Sequence, residues 1–80
     1  MPDDPYVCVV EVDARNLSCP MPLLRARQAL KSVQSGEIIK VLATDAGSWK
    51  DFQSFSNHSG DKLLKKLEHN SAYTYWLQKK

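Results

Sequence analysis

Two prolines set one residue apart, Pro20 and Pro22, constrain this chain more than any other feature. Proline has no backbone N–H and a φ fixed near the helical value. Its natural place is the first turn of a helix, where amides have no intrahelical partner. The pair therefore marks a helix start directly after Cys19, where a strand-like run gives way to a helix-like one. With two donors removed, the free N–H groups expected near the sulfur are those of Cys19, Met21 and Leu23. The sulfur would then face the positive end of a helix dipole. Such a dipole stabilises an exposed anion by about 0.3–1 kcal/mol, and one pKa unit is about 1.4 kcal/mol. It lowers a thiol by less than about one unit from ~8.5. Arg15, Arg25 and Arg27 are cations that can add to it. We expect Cys19 to be an exposed thiol whose anion is favoured.

Along the chain, residues 1–5 read as a short tail and 6–80 as a single domain. Tyr6 to Val12 is rich in β-branched residues and reads as a strand, with Tyr6, Cys8, Val10 and Val12 on one face. Asp13 to Ser18 reads as loop, and Pro20 to about Ser35 as a helix whose apolar stripe is Leu23, Ala26, Leu30 and Val33. Gly36 sits where a left-handed helix end belongs. Glu37 to Thr44 is a second strand whose continuous apolar run implies a central place, buried on both faces. Ser48 opens a second helix, with Asp51 at the capping-box spacing, Trp49, Phe52 and Phe55 on the buried side, and Gly60 at the end. A strand–helix–strand unit of this length favours a right-handed parallel crossover. Lys62 to Glu68 fits both periods: Leu63, Leu64 and Leu67 suit a helix, whereas Leu63, Lys65 and Leu67 suit a strand. Asn70-Ser71 reads as a turn into a last strand, Ala72 to Gln78.

Eighty residues make one small domain near the lower limit for a self-sufficient core. A net charge of +2, from 11 basic and 9 acidic residues, does not argue for direct nucleic-acid contact. No stretch approaches the ~18 apolar residues of a membrane span. The start, Met1-Pro2-Asp3-Asp4-Pro5, is unlike a signal peptide, so we expect a cytoplasmic protein whose cysteines stay reduced. Cys8, among valines, reads as core packing. Zinc is disfavoured, because ten residues separate Cys8 from Cys19 and ten separate His58 from His69, which suits no usual ligand spacing. Lys62, Lys65, Lys66, Lys79 and Lys80 read as a solvated edge that discourages strand-to-strand association.

The Cys-Pro-x-Pro motif at Cys19 to Pro22 resembles the signature of the TusA/SirA-like family of small sulfur carriers. Val12-Asp13-Ala14-Arg15-Asn16-Leu17 before it, Gly36-Glu37 and Ala43-Thr44-Asp45 agree, so the likeness runs from about Val12 to the C-terminus. The resemblance implies an α+β, two-layer α/β sandwich in βαβαββ order, with two helices on one face of a four-stranded mixed sheet. That order makes residues 62–68 a strand. It also implies that Cys19 accepts a sulfane sulfur from a donor such as a cysteine desulfurase and passes it to an acceptor protein, a sulfurtransferase relay with no metal or bound cofactor. The destination is tRNA thiolation, molybdenum-cofactor assembly or a sulfur-oxidation route. We expect Asp13, Arg15, Leu17, Met21, Arg25 and Arg27 near the sulfur as docking residues. The resemblance adds Asp45, with Arg27, as a contact for the donor. Two positions depart from some members: Met21 stands where they have glutamate, and Ser56 where they have a second cysteine. Two rival readings remain at this level, a non-catalytic interaction or regulatory domain and a thiol redox module.

Overall fold

In the computed structural model, which describes residues 5–80, the apolar runs form strands and two helices lie between them. In chain order the elements are β1 (Val10–Ala14), α1 (Met21–Ser32), β2 (Ile38–Ala43), α2 (Ser48–Ser59), β3 (Lys62–His69) and β4 (Ala72–Gln78). Of the expected tail, residues 1–4 fall outside the described residues.

The strands form one sheet in the order β1-β2-β4-β3, with β1 and β2 parallel and the other pairings antiparallel. This is the mixed α+β sheet expected, and Lys62–His69 is a strand. Register lines up Val12, Val41 and Tyr75 across three strands, with Val10, Ile39 and Leu77 one step along. Onto this face pack Ala26, Leu30 and Val33 from the first helical segment and Phe52 from α2, which close the core. Both helices therefore cover one side.

The other side shows why β2 is not buried on both faces as expected. Ile39, Val41 and Ala43 are buried, but Ile38, Lys40 and Leu42 are only half-buried. No helix lies over them. Instead Trp76, 3% exposed, is covered by small pieces. Lys40 and Lys65 flank it in register, their ammonium groups 5.8 and 6.0 Å from its ring centroid. Tyr6 leans on it at 6.3 Å. Lysine stems cover apolar surface while the charged heads stay wet, and the ammonium gains from the ring face.

Tyr6 packing on Trp76 also explains the displaced first strand. The chain bends before Val10, so Tyr6 and Cys8 do not continue the core face. Cys8 is half-buried, with Sγ 3.7 Å from the Tyr6 carbonyl, and is not a core residue. At the other end β1 extends through Asp13 and Ala14, expected in a loop, because they pair with Leu42 and Ala43. The first helix stops three residues early, at Ser32. Gly36 does take a left-handed φ of +87°, but within a Gln34–Glu37 turn and not at a helix end. Gly60, also at +87°, does end α2. The β3–β4 hairpin closes through Asn70 and Ser71, whose φ of 51° and 64° are those of a two-residue type I′ turn.

Candidate functional site

Cys19 lies on the turn that leads into α1, exposed and carrying a free thiol. The Cys19–Pro20 peptide is cis. The Met21 N–H donates to the Ser18 carbonyl at 2.8 Å, and Leu24 N–H to Pro20 at 3.1 Å. Met21 is therefore not one of the free donors expected near the sulfur. The two prolines divide their work. Pro22 is fully buried and pins the turn to the core, whereas Pro20 stays exposed at the helix cap.

The sulfur faces a second helix as well. Gly47 precedes α2, and a methyl group added there would lie 3.6 Å from Cys19 Cβ and 3.9 Å from Sγ. The thiol thus lies within ordinary contact range of the start of α2. Sγ donates to Asp51 Oδ2 at 2.7 Å. The same methyl would meet Asp45 Oδ2 at 2.9 Å, and that oxygen is buried with no hydrogen-bond partner among the described residues.

A rigid seat holds the first turn of α2. Ser48, 2% exposed, donates its hydroxyl to the Asp45 carbonyl at 2.7 Å and lies 2.6 Å from the Tyr75 hydroxyl. Since the serine proton is committed to Asp45, Tyr75 is the donor in the second bond. Phe52 stacks on Tyr75 with centroids 4.2 Å apart and planes 7° from parallel. Burial pushes the Tyr75 hydroxyl up to about 12, so it keeps its proton. Ser48 and Asp51 thus do not form the expected capping box. Ser48 is tied to β4, and Asp51 is turned to the sulfur.

The electrostatics reverse the sequence expectation. The Cys19 thiol is pushed above its ordinary value, first by its hydrogen bond to Asp51, then by desolvation, then by the charges of Asp51 and Asp45. A dipole effect of less than about one unit does not offset two carboxylates. Nor do the expected cations act on it. Arg15 is engaged by Asp13, Nε to Oδ1 at 2.8 Å and Nη2 to Oδ2 at 2.9 Å, and holds that carboxyl down at about 2. Arg25 and Arg27 are exposed on α1. Met21 is 39% exposed beside the turn, as is Leu24 at 40%, which the sequence reading passed over. Leu17 is half-buried against the core, a support more than a surface.

Asp51 is the residue that sequence reasoning missed. It stands 32 positions from Cys19, and its i+3 spacing from Ser48 gave it a local explanation that the structure does not bear out. Ser56 is used structurally, donating to the Asp61 carbonyl at 2.8 Å and accepting from Leu63 N–H at 3.0 Å. Among the described residues, no three His, Cys, Asp or Glu side chains gather as metal ligands, and no helix is long and apolar enough to cross a membrane.

Comparison with known proteins gives four findings. The family model for sulfurtransferase TusA matches residues 10–79. The sulfur carrier protein TusA of Allochromatium vinosum is 39% identical over 86% of this chain and 91% of its own length. That of Pseudomonas putida is 35% identical over 86% of each chain. The crystal structure of the SirA-like protein from Desulfitobacterium hafniense superposes with a TM-score of 0.75, covering 86% of this chain and 95% of that one at 24% identity, and so shares the fold.

Proposed function

Because the chain belongs to the TusA sulfurtransferase family, we propose that it carries sulfur as a persulfide on Cys19. The observation that supports this most is the exposed thiol on a turn pinned by buried Pro22 and seated against Gly47 at the start of α2. Exposure lets two partners reach the sulfur in succession, and the rigid turn fixes its direction of approach.

In the uptake step Cys19 Sγ attacks the outer sulfur of a donor persulfide. A new S–S bond forms, the donor's S–S bond breaks, and the donor's inner sulfur leaves as a thiolate that takes up a proton. Cys19 then bears the outer sulfur. In the release step an acceptor cysteine attacks that sulfur, and Cys19 returns to a thiol. No net oxidation occurs, so the exchange calls for no electron acceptor. The donor class is a cysteine desulfurase or another persulfide-bearing protein. The acceptor serves tRNA thiolation, molybdenum-cofactor assembly or sulfur oxidation. The reducing cytoplasm suits a carrier that works as a thiol.

Docking falls to the surface around the turn. Met21 and Leu24 offer adaptable apolar contact, and Arg25 and Arg27 offer charge from the same helix. Asp13 and Arg15 flank the turn from the end of β1, Leu17 supports it from below, and Asp45 borders it on the α2 side.

The test is to incubate the protein with a cysteine desulfurase and cysteine and to weigh it intact. One added sulfur, removed by DTT and missing in Cys19→Ser, is the expected result. An adduct with peroxide but none with the desulfurase would transfer the reading to redox chemistry. No adduct of either kind leaves an interaction domain.

A further inference from the structure

A nucleophilic thiol must lose its proton, and the acceptor lying against that proton in this protein is Asp51. We propose that Asp51 is a catalytic residue of the sulfur exchange, its carboxylate taking the Cys19 proton as the sulfur attacks, handing it to the donor's departing sulfur, and supplying a proton to Cys19 when the sulfur is passed on. This rests on the persulfide reading of Cys19.

The geometry is that of a base already in place. Asp51 Oδ2 accepts from Sγ at 2.7 Å, inside the reach a general base needs. The Asp51 N–H donates to the Gly47 carbonyl at 3.2 Å, and the Ser48–Tyr75 contact fixes the turn on which both sit. The carboxylate is half-buried, the thiol exposed, so a partner reaches the sulfur from the side Asp51 leaves open. Asp45 and Asp51 both disfavour a free thiolate, which makes attack by a preformed anion scarce at neutral pH. Proton loss coupled to attack avoids that anion. As electron density moves from Sγ into the new S–S bond, the S–H becomes acidic at the moment the carboxylate can receive it. The other titratable groups beside the pair are Asp45, whose buried Oδ2 lies against Gly47 and whose charge also acts on the thiol, and Tyr75, which keeps its proton up to about 12.

The atoms balance. On uptake the Cys19 proton passes to Asp51 Oδ2, Sγ bonds the outer sulfur, and the pair from the broken bond leaves on the donor's inner sulfur, which Asp51 then protonates. On release the acceptor thiol gives its proton to the Asp51 carboxylate as it attacks. The departing Sγ takes up that proton from Asp51.

The experiment uses a Cys8→Ser background, so that Cys19 alone reacts, and a neutral disulfide, bis(2-hydroxyethyl) disulfide, followed by intact mass from about pH 6 to about pH 8.5. The expected wild-type rate is nearly flat with pH, since the carboxylate already lies against the thiol proton. Asp51→Asn should climb about tenfold per pH unit and fall roughly 10- to 100-fold below wild type near the acid end. Asp51→Glu should retain the flat profile, which separates proton transfer from a purely structural need for the side chain. A wild-type rate that itself climbs tenfold per unit, with Asp51→Asn parallel and faster, overturns the proposal: Asp51 would then only hold the thiol protonated. Loading from a desulfurase persulfide is read separately, and its failure in wild type removes the carrier reading without altering the disulfide profile.

Discussion

The two ends of the helical layer face opposite tasks. Both helices have twelve residues and run the same way across the sheet, so their starts share one end and their finishes the other, about 18 Å away. At the finishing end the polar groups are cross-bonded. Gly36 N–H donates to the Lys79 carbonyl at 2.8 Å, Lys79 N–H to the Glu37 carbonyl at 2.9 Å, and Lys80 N–H to Asp61 Oδ1 at 2.8 Å. Lys79 Nζ reaches the Val33 carbonyl at 2.9 Å, a cation where the helix dipole favours one. At the starting end stand an exposed thiol, a carboxylate on its proton and a buried carboxylate oxygen with no partner among the described residues. A domain this small has little stability to spare. It cross-bonds the finishing end, and leaves a carboxylate oxygen without a partner among the described residues at the end where the thiol is exposed.

The strongest way to sharpen that contrast is Cys19→Ser. Persulfide loading should vanish completely, while the thermal midpoint moves by no more than a degree or two, because the thiol is exposed. Intact mass and a melting curve on one sample decide it. Phe52→Ala attacks the seat under the reactive end. Phe52 is fully buried and stacked on Tyr75, so its removal should cost about 3–5 kcal/mol, a large share of the total. Denaturant unfolding measures the loss. A variant that keeps its stability would show that the starting end carries none of the core.

Lys79→Met tests the other end. The lost hydrogen bond to Val33 should cost about 1–2 kcal/mol, with the Cys19 reaction rate unchanged. A change in that rate would mean the two ends are coupled through α1. Gly36→Ala should cost about 1 kcal/mol there through the backbone alone, since φ is +87° and nothing lies within 4 Å of the added methyl.

Much of this arrangement was legible in the sequence wherever a local rule and a global one agreed. Ala72 to Gln78 alternates and is a strand with those bounds. Asn70-Ser71 accepts left-handed backbone and forms the turn. Ala26, Leu30 and Val33 keep helical spacing and are buried. Misreadings arose where a distant contact overrode a local pattern. Tyr6 left the strand period to cover Trp76, and Ser48 gave its hydroxyl to Asp45 and Tyr75, which freed Asp51 for the sulfur. The protonation of Cys19 was unreadable for the same reason. Its sign depends on two aspartates from the other helix start, and no spacing near position 19 announces them.

The smallest expected effect is on pH, and it sets two groups of the starting end against each other. Asp13 is held down from 3.8 to about 2 by Arg15, so the pair contributes stability that is complete above about pH 4 and is lost as pH falls through about 2. The Cys19 thiol is raised above 9.0, so its contribution is complete below about pH 9 and is lost as pH climbs through the raised value. Both groups are exposed and screened, so each slope should be shallow. In Arg15→Gln the Asp13 carboxyl should titrate in the ordinary carboxylate range by NMR, and the acid limb of the melting curve should flatten with the alkaline limb untouched. Cys19→Ser should do the reverse. If Arg15→Gln also moved the alkaline limb, Arg15 would be acting on the thiol after all. The separation between a locally satisfied carboxylate on β1 and a thiol governed by α2 would then fail.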